Sequence, residues 1–167
     1  MVYNPLSRNK ILAFDFPKFQ MNDCELLFVS SFRYLGHIID KSASDNDDID
    51  REIRNLFVRT NILIRKFHNC SHSVKILLFK SFCLCFYGLS LWKSFSTKCI
   101  ERFKAAYHKC IKNFFRFARR DSVTGILLAL GLSSFDTVMW NAKQTLVARR
   151  NTCANVLVEH ISLIHQY

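Results

Sequence analysis

The sequence predicts an α+β fold that is mostly α, with a small N-terminal antiparallel β piece followed by a bundle of four or five helices. Three observations lead there. The first forty residues fall into short β-branched and aromatic runs separated by turn residues, whereas from about residue 47 apolar residues recur at helical spacing. At 167 residues, half of them apolar and only two of them proline, the chain has the composition of an ordered protein with one sizeable core. Charge is divided along the chain as well. Residues 1–52 carry six Lys/Arg against nine Asp/Glu, a balance of −3, and residues 53–167 carry eighteen against four, a balance of +14.

In chain order, Lys10–Phe14 is expected as a strand that Pro17 ends. Pro17–Met21 and Cys24–Val29 flank Asn22-Asp23, a pair suited to a tight hairpin turn. So small a sheet needs something to cover its apolar face. The stretch Ser31-Phe32-Arg33-Tyr34-Leu35-Gly36-His37-Ile38-Ile39-Asp40 reads as strand, with Gly36 marking a bulge or a close backbone approach. It stands as a hinge between the β piece and the helices.

Residues 41–52 are polar and acidic. Asp45, Asp47 and Asp48 lack the glycine and terminal glutamate of a calcium loop, so they are read as a helix start, with Ser44 as the cap and carboxylates meeting the helix dipole. The helix is predicted over residues 47–67. Ile49, Ile53, Leu56, Phe57, Thr60, Leu63, Ile64 and Phe67 share one face, and Arg51, Arg54, Arg59, Arg65 and Lys66 share the other. Such a basic face suits either solvent or a contact surface, and Val58 and Ile62 within it leave both open. His68-Asn69-Cys70-Ser71-His72 does not have the spacing of the usual structural zinc sites and is read as a loop with a capping serine.

Residues 73–95 are apolar on nearly all sides and predict a buried central helix, with Tyr87-Gly88 as a close-packing point and Trp92 as an anchor. The uncharged portion, Ser81–Trp92, is too short for a membrane span of roughly 20 residues, so no membrane partner is expected. A third helix is predicted over 97–117, with Ile100, Phe103, Tyr107, Cys110, Ile111 and Phe114 inward. Opposite them run Lys98, Arg102, Lys104, His108, Lys109, Lys112 and Arg116, followed by Arg119 and Arg120, with Phe115 close by. A row of cations on a rigid helix meets the needs of sequence-independent phosphate contact. Beyond it, Asp121-Ser122-Val123-Thr124 opens a short helix that Gly131 stops, and Ser133-Ser134 starts a last helix over 135–160.

Seven irregularly spaced cysteines form no disulfide framework and fit a reducing compartment. Met1-Val2-Tyr3-Asn4-Pro5 lacks the basic start and apolar core of a signal peptide. The expected location is therefore intracellular, nuclear or cytoplasmic, and not secreted. No nucleophile with its base, phosphate-binding glycine loop, H-E-x-x-H or C-x-x-C site occurs.

Two motifs carry a family resemblance. Phe32-Arg33-Tyr34-Leu35-Gly36 with its short apolar strand resembles the primer-grip segment at the palm edge in reverse transcriptases of non-LTR (LINE-type) retrotransposons. Val74-Lys75-Ile76-Leu77-Leu78-Phe79-Lys80-Ser81-Phe82, running into Phe86-Tyr87-Gly88 and Trp92, is similar to the helix found downstream in that family. Order and spacing agree over roughly the first 120 residues. The resemblance implies the C-terminal portion of an RNA-directed DNA polymerase, with residues 1–40 as the end of the palm, 41–120 as a thumb-like bundle and 121–167 as a helical connection region. Met1 would then be an internal methionine of a longer ancestor.

It also implies that the fragment is not an enzyme by itself. The family's palm aspartates, which hold Mg²⁺, lie upstream of these motifs and have no counterpart here, so no cofactor is expected in this piece. The partners implied are nucleic acid, as the backbone of an RNA–DNA hybrid or duplex, and the missing palm and fingers. Arg33, Tyr34 and Gly36 would meet the primer near its 3′ end. Arg51, Arg54, Arg65, Lys104, Lys109, Lys112, Arg116, Arg119 and Arg120 would lie along the duplex. Two other readings remain, a free-standing helical protein-interaction module derived from a retroelement and a membrane-associated helical protein.

Overall fold

The structure is a computed structural model in which residues 18–155, Tyr87 excepted, are described. Two antiparallel hairpins precede five helices, in agreement with a mostly α, α+β fold. The expected strand at Lys10–Phe14 lies outside the described residues.

The first hairpin pairs β1, Gln20–Met21, with β2, Cys24–Glu25. Asn22 and Asp23 make its turn with φ of 52° and 63°, the left-handed geometry that asparagine and aspartate tolerate best after glycine. The paired strands are shorter than the runs on either side of the turn. The second hairpin pairs β3, Ser31–Tyr34, with β4, His37–Asp40, in the register Tyr34 to His37 and Ser31 to Asp40. Gly36 is therefore not a bulge within one strand. Leu35 and Gly36, with φ of 47° and 84°, are the two-residue turn between two strands.

Helix α1, Asn46–Lys66, begins at Asp45 rather than at a Ser44 cap. The Asp45 carboxylate reaches across the fold instead, accepting from the backbone N–H groups of Lys93 and Ser94 at 2.8 and 2.7 Å. Helix α2, His72–Cys83, corrects the expectation of one long buried helix to residue 95. It ends at Leu84, and the chain then turns through Gly88 in the left-handed region (φ 80°) into a 3₁₀ turn at Leu89–Leu91. Only Phe79 and Cys83 of α2 are buried, and Val74, Leu77 and Phe82 lie exposed. Ser71 occupies the N-cap position of α2 but its side chain makes no cap bond.

Helix α3, Thr97–Phe115, is capped by Ser96, whose hydroxyl accepts from the Cys99 N–H at 3.2 Å. Helix α4, Val123–Leu130, stops at Gly131 (φ 57°), where the Leu132 N–H closes onto the Leu127 carbonyl. Helix α5 runs over Phe135–Asn151 from a Ser134 cap and ends at Thr152, short of the predicted 160, with residues 152–155 non-helical and 156–160 outside the described residues.

One hydrophobic core joins α1, α2, α3, α4 and the start of α5. The predicted inner faces supply it. Ile49, Leu56 and Leu63 of α1 meet Phe103, Tyr107, Cys110, Ile111 and Phe114 of α3. Phe103 lies 5.0 Å from both Phe86 and Phe135 between ring centroids, in edge-to-face contacts that add specificity to burial. Phe115 belongs to this core, packed against Phe79, Phe114 and His72, so it does not stand beside the cations as a surface residue.

Candidate nucleic-acid interface

The β3–β4 hairpin is held on the helices by one carboxylate. Asp48, in the first turn of α1, is 2% exposed. Its Oδ1 accepts from the Ile38 N–H at 3.0 Å and from Arg51 Nε at 2.7 Å. Its Oδ2 accepts from the Trp92 indole at 2.8 Å and pairs with His37 Nδ1 at 2.9 Å. Burial alone would raise the Asp48 pKa, but the bonds from Arg51, His37, Trp92 and Ile38 outweigh it and bring it down to about 2. The His37 ring also fills the space where Gly88 lacks a side chain, since a Cβ there would lie 1.8 Å from its ring carbon. Gly88 is thus a close-packing point, with the hairpin as its neighbour, while Tyr87 lies outside the described residues.

This latch presents the turn outward. Arg33, Tyr34 and Leu35 are exposed, Leu35 to 71%, and Gly36 is part-buried. Exposed apolar side chains continue back through Phe32, Phe28, Leu27 and Phe19, so the hairpins are uncovered among the described residues.

The predicted cations separate into three groups. Arg51 and Lys104 are committed to carboxylates. Arg51 binds Asp48 and Glu52 and is 11% exposed, which removes it from the outer basic face. Lys104 pairs with Asp136 at 2.7 Å. Arg59, on the same predicted face as Arg51, is likewise held by the buried Glu52, at 2.6 Å.

The second group converges. Lys109, Lys112 and Arg119 line a groove of about 570 Å³ along the outer side of α3, together with His108. Lys109 rests over the Phe57 ring, 5.8 Å from its centroid. Lys112 donates to the carbonyls of Arg119 and Asp121 at 2.8 and 2.7 Å, folding the chain after α3 back along the groove. Among the described residues no carboxylate lines it. Partial burial, with the Lys104 and Lys112 charges, holds the His108 pKa below its ordinary value.

The third group is exposed and unpaired among the described residues. Arg116 caps α3 in the left-handed region (φ 61°), Arg120 follows in the next turn, and Arg54 and Arg65 lie on the outer face of α1. Arg54 is one helical turn before Phe57, the ring that Lys109 overlies.

Sequence reasoning missed the roles of Asp48 and Glu52, which it placed at a solvated helix start. A signal existed, because at i and i+4 the two acids fall next to Ile49 and Leu56 on the inward face. Among the described residues no three His, Cys, Asp or Glu side chains cluster closely enough to hold a metal ion, and no single helix is long and apolar enough to cross a membrane. Comparison with protein-family models, with curated proteins and with solved structures finds no significant match.

Proposed function

We propose that the chain is the C-terminal portion of a non-LTR retrotransposon reverse transcriptase, which grips the template–primer while chemistry is done by palm residues outside it. The observation that carries this reading is the convergence of Lys109, Lys112 and Arg119, with His108, in a groove that no carboxylate of the described residues lines. Phosphates entering it would displace counterions from the duplex, which makes binding independent of sequence and steeply dependent on salt. An RNA–DNA hybrid would be met through its backbone and shape. The exposed turn at Arg33–Gly36, latched at a fixed position beside α1, supports a contact with one strand end. The chain so read carries no catalytic residue and no cofactor of its own, and works inside the cell in the nucleus or cytoplasm.

The test is binding of a labelled hybrid duplex by the purified chain. Reversal of Lys109 and Arg119 to glutamate is expected to weaken binding of all sequences alike. It should also reduce the log–log salt slope by about 0.9 for each phosphate that is no longer neutralised. Binding unchanged by that reversal would contradict the reading.

A second reading, a helical protein-interaction module, is favoured by the exposed Phe32, Tyr34 and Leu35. It predicts that Tyr34→Ala with Leu35→Asn abolishes partner binding while reversal of Lys109 and Arg119 leaves it intact. Phe115 has no part in it, because that residue is buried.

A further inference from the structure

A second cationic groove lies away from α3, between the segment that follows the 3₁₀ turn and helix α5, with a volume of about 670 Å³. Lys93 stands on one side, Lys143, Arg149 and Arg150 on the other, and among the described residues no carboxylate lines it. The side chains of Lys93, Arg149 and Arg150 have no partner among the described residues. Lys143 lies over the Phe95 ring, 5.6 Å from its centroid. Leu146 and Val147, both partly exposed, form an apolar strip between these cations.

The order along the helix is what gives the groove its character. Lys143, Val147 and Arg150 follow at i, i+4 and i+7, so cation, apolar contact and cation succeed one another over about 10 Å of helix. Trp140 stands one turn earlier on the same side and is 62% exposed. A small inorganic anion would leave the apolar strip and the indole unused. A chain of regularly spaced phosphates with flat apolar groups between them would use every part, because cations follow a backbone while bases stack on exposed aromatic rings. In a duplex the base faces are buried, so only an unpaired strand can offer both.

We propose that this groove takes single-stranded nucleic acid, with Lys93, Lys143, Arg149 and Arg150 on its phosphates and a base stacked on Trp140. The proposal rests on the nucleic-acid reading above and assigns the single strand and the duplex to different sites.

The experiment uses the full chain with fluorescein-labelled oligo(dT) and a labelled RNA–DNA hybrid. The chain has two tryptophans, and Trp92 is buried, so quenching of tryptophan emission by unlabelled oligo(dT) reports on Trp140. Oligo(dT) is expected to quench that emission. Lys143→Glu with Arg150→Glu should weaken oligo(dT) about tenfold or more and the hybrid less than twofold, whereas Lys109→Glu with Arg119→Glu should do the reverse. Trp140→Phe should remove the quench and keep binding, and Trp140→Ala should weaken oligo(dT) roughly tenfold, the worth of one stacked base. The milder Lys143→Gln with Arg150→Gln should follow the same direction, provided its circular dichroism matches the parent.

Unchanged oligo(dT) binding in the α5 variants, with hybrid binding still weakened in the α3 variant, overturns this proposal and leaves the function standing. Displacement of oligo(dT) by polyglutamate at equal charge also overturns it, since a generic polyanion would then suffice. Failure of both nucleic acids to bind overturns the two together.

Discussion

Asp48 is a case where the same side chain is costly or valuable according to what surrounds it. Taking a carboxylate out of water is strongly unfavourable, and only the complete set of donors from Arg51, His37, Trp92 and Ile38 offsets that cost. Asp48→Asn keeps the shape but removes the charge opposite Arg51 and turns an amide N–H₂ toward donors. It is expected to destabilise the fold by roughly 3 to 5 kcal/mol, the usual cost of breaking a buried pair, read by urea unfolding. The pH dependence follows with a definite sign. Asp48 titrates near 3.8 in the unfolded chain and at about 2 in the folded one, so its contribution of about 2 kcal/mol is present above pH 3.8 and lost as pH falls toward 2. Unfolding midpoints at pH 5 and pH 2.5 should therefore differ more for the parent than for Asp48→Asn. Equal differences would remove Asp48 as the cause.

At the scale of elements, the hairpin and the helices meet where α1 begins and where α2 has ended. Gly88 is a close contact within that meeting, with the His37 ring in the space its side chain would occupy. Gly88→Ala would place a Cβ in a left-handed backbone and against the His37 ring, and each alone is unfavourable. The expected result is undocking of the hairpin at a cost above about 1 kcal/mol. Amide exchange checks it, since protection at Ile38 should fall while α3 stays protected. Much of this level was legible in the sequence. The inward faces of α1 and α3, the stop at Gly131 and the turn at Asn22-Asp23 follow from local rules that tertiary contacts reinforce. The extent of α2 was not. A run of apolar residues fits a helix as well as an extended segment buried on one side, and the turn that follows α2 is fixed by Gly88 packing against the ring of His37, far away in sequence. Likewise the outer face of α1 is basic by periodicity, yet Arg51 and Arg59 turn to Asp48 and Glu52 because two buried carboxylates need partners.

Across the described part of the molecule, exposed apolar side chains and unpaired cations concentrate in different regions. Residues 1–52 are acidic in balance, and the second hairpin within them exposes Phe32, Tyr34 and Leu35, as an uncovered apolar face would. The +14 balance belongs to residues 53–167, whose cations lie on and between the helices of the described residues. Several cations are consumed by the fold itself, so net charge overstates the number available to a polyanion. Of those that remain, some gather in the α3 groove and around α5, while Arg54, Arg65, Arg116 and Arg120 stand exposed outside both. Which cations converge depended on folding, because Lys112 and Arg119 are brought together by the turn after α3 and not by helical spacing. The central claim is that these groups grip a nucleic-acid backbone. The most direct measurement is the affinity of the chain for an RNA–DNA hybrid as a function of salt. The account predicts a linear fall of log affinity with log salt, with a slope near −3 if Lys109, Lys112 and Arg119 each neutralise one phosphate, at about −0.9 per contact for duplex DNA. Binding that is absent at low salt, or that persists undiminished as salt rises, would contradict it.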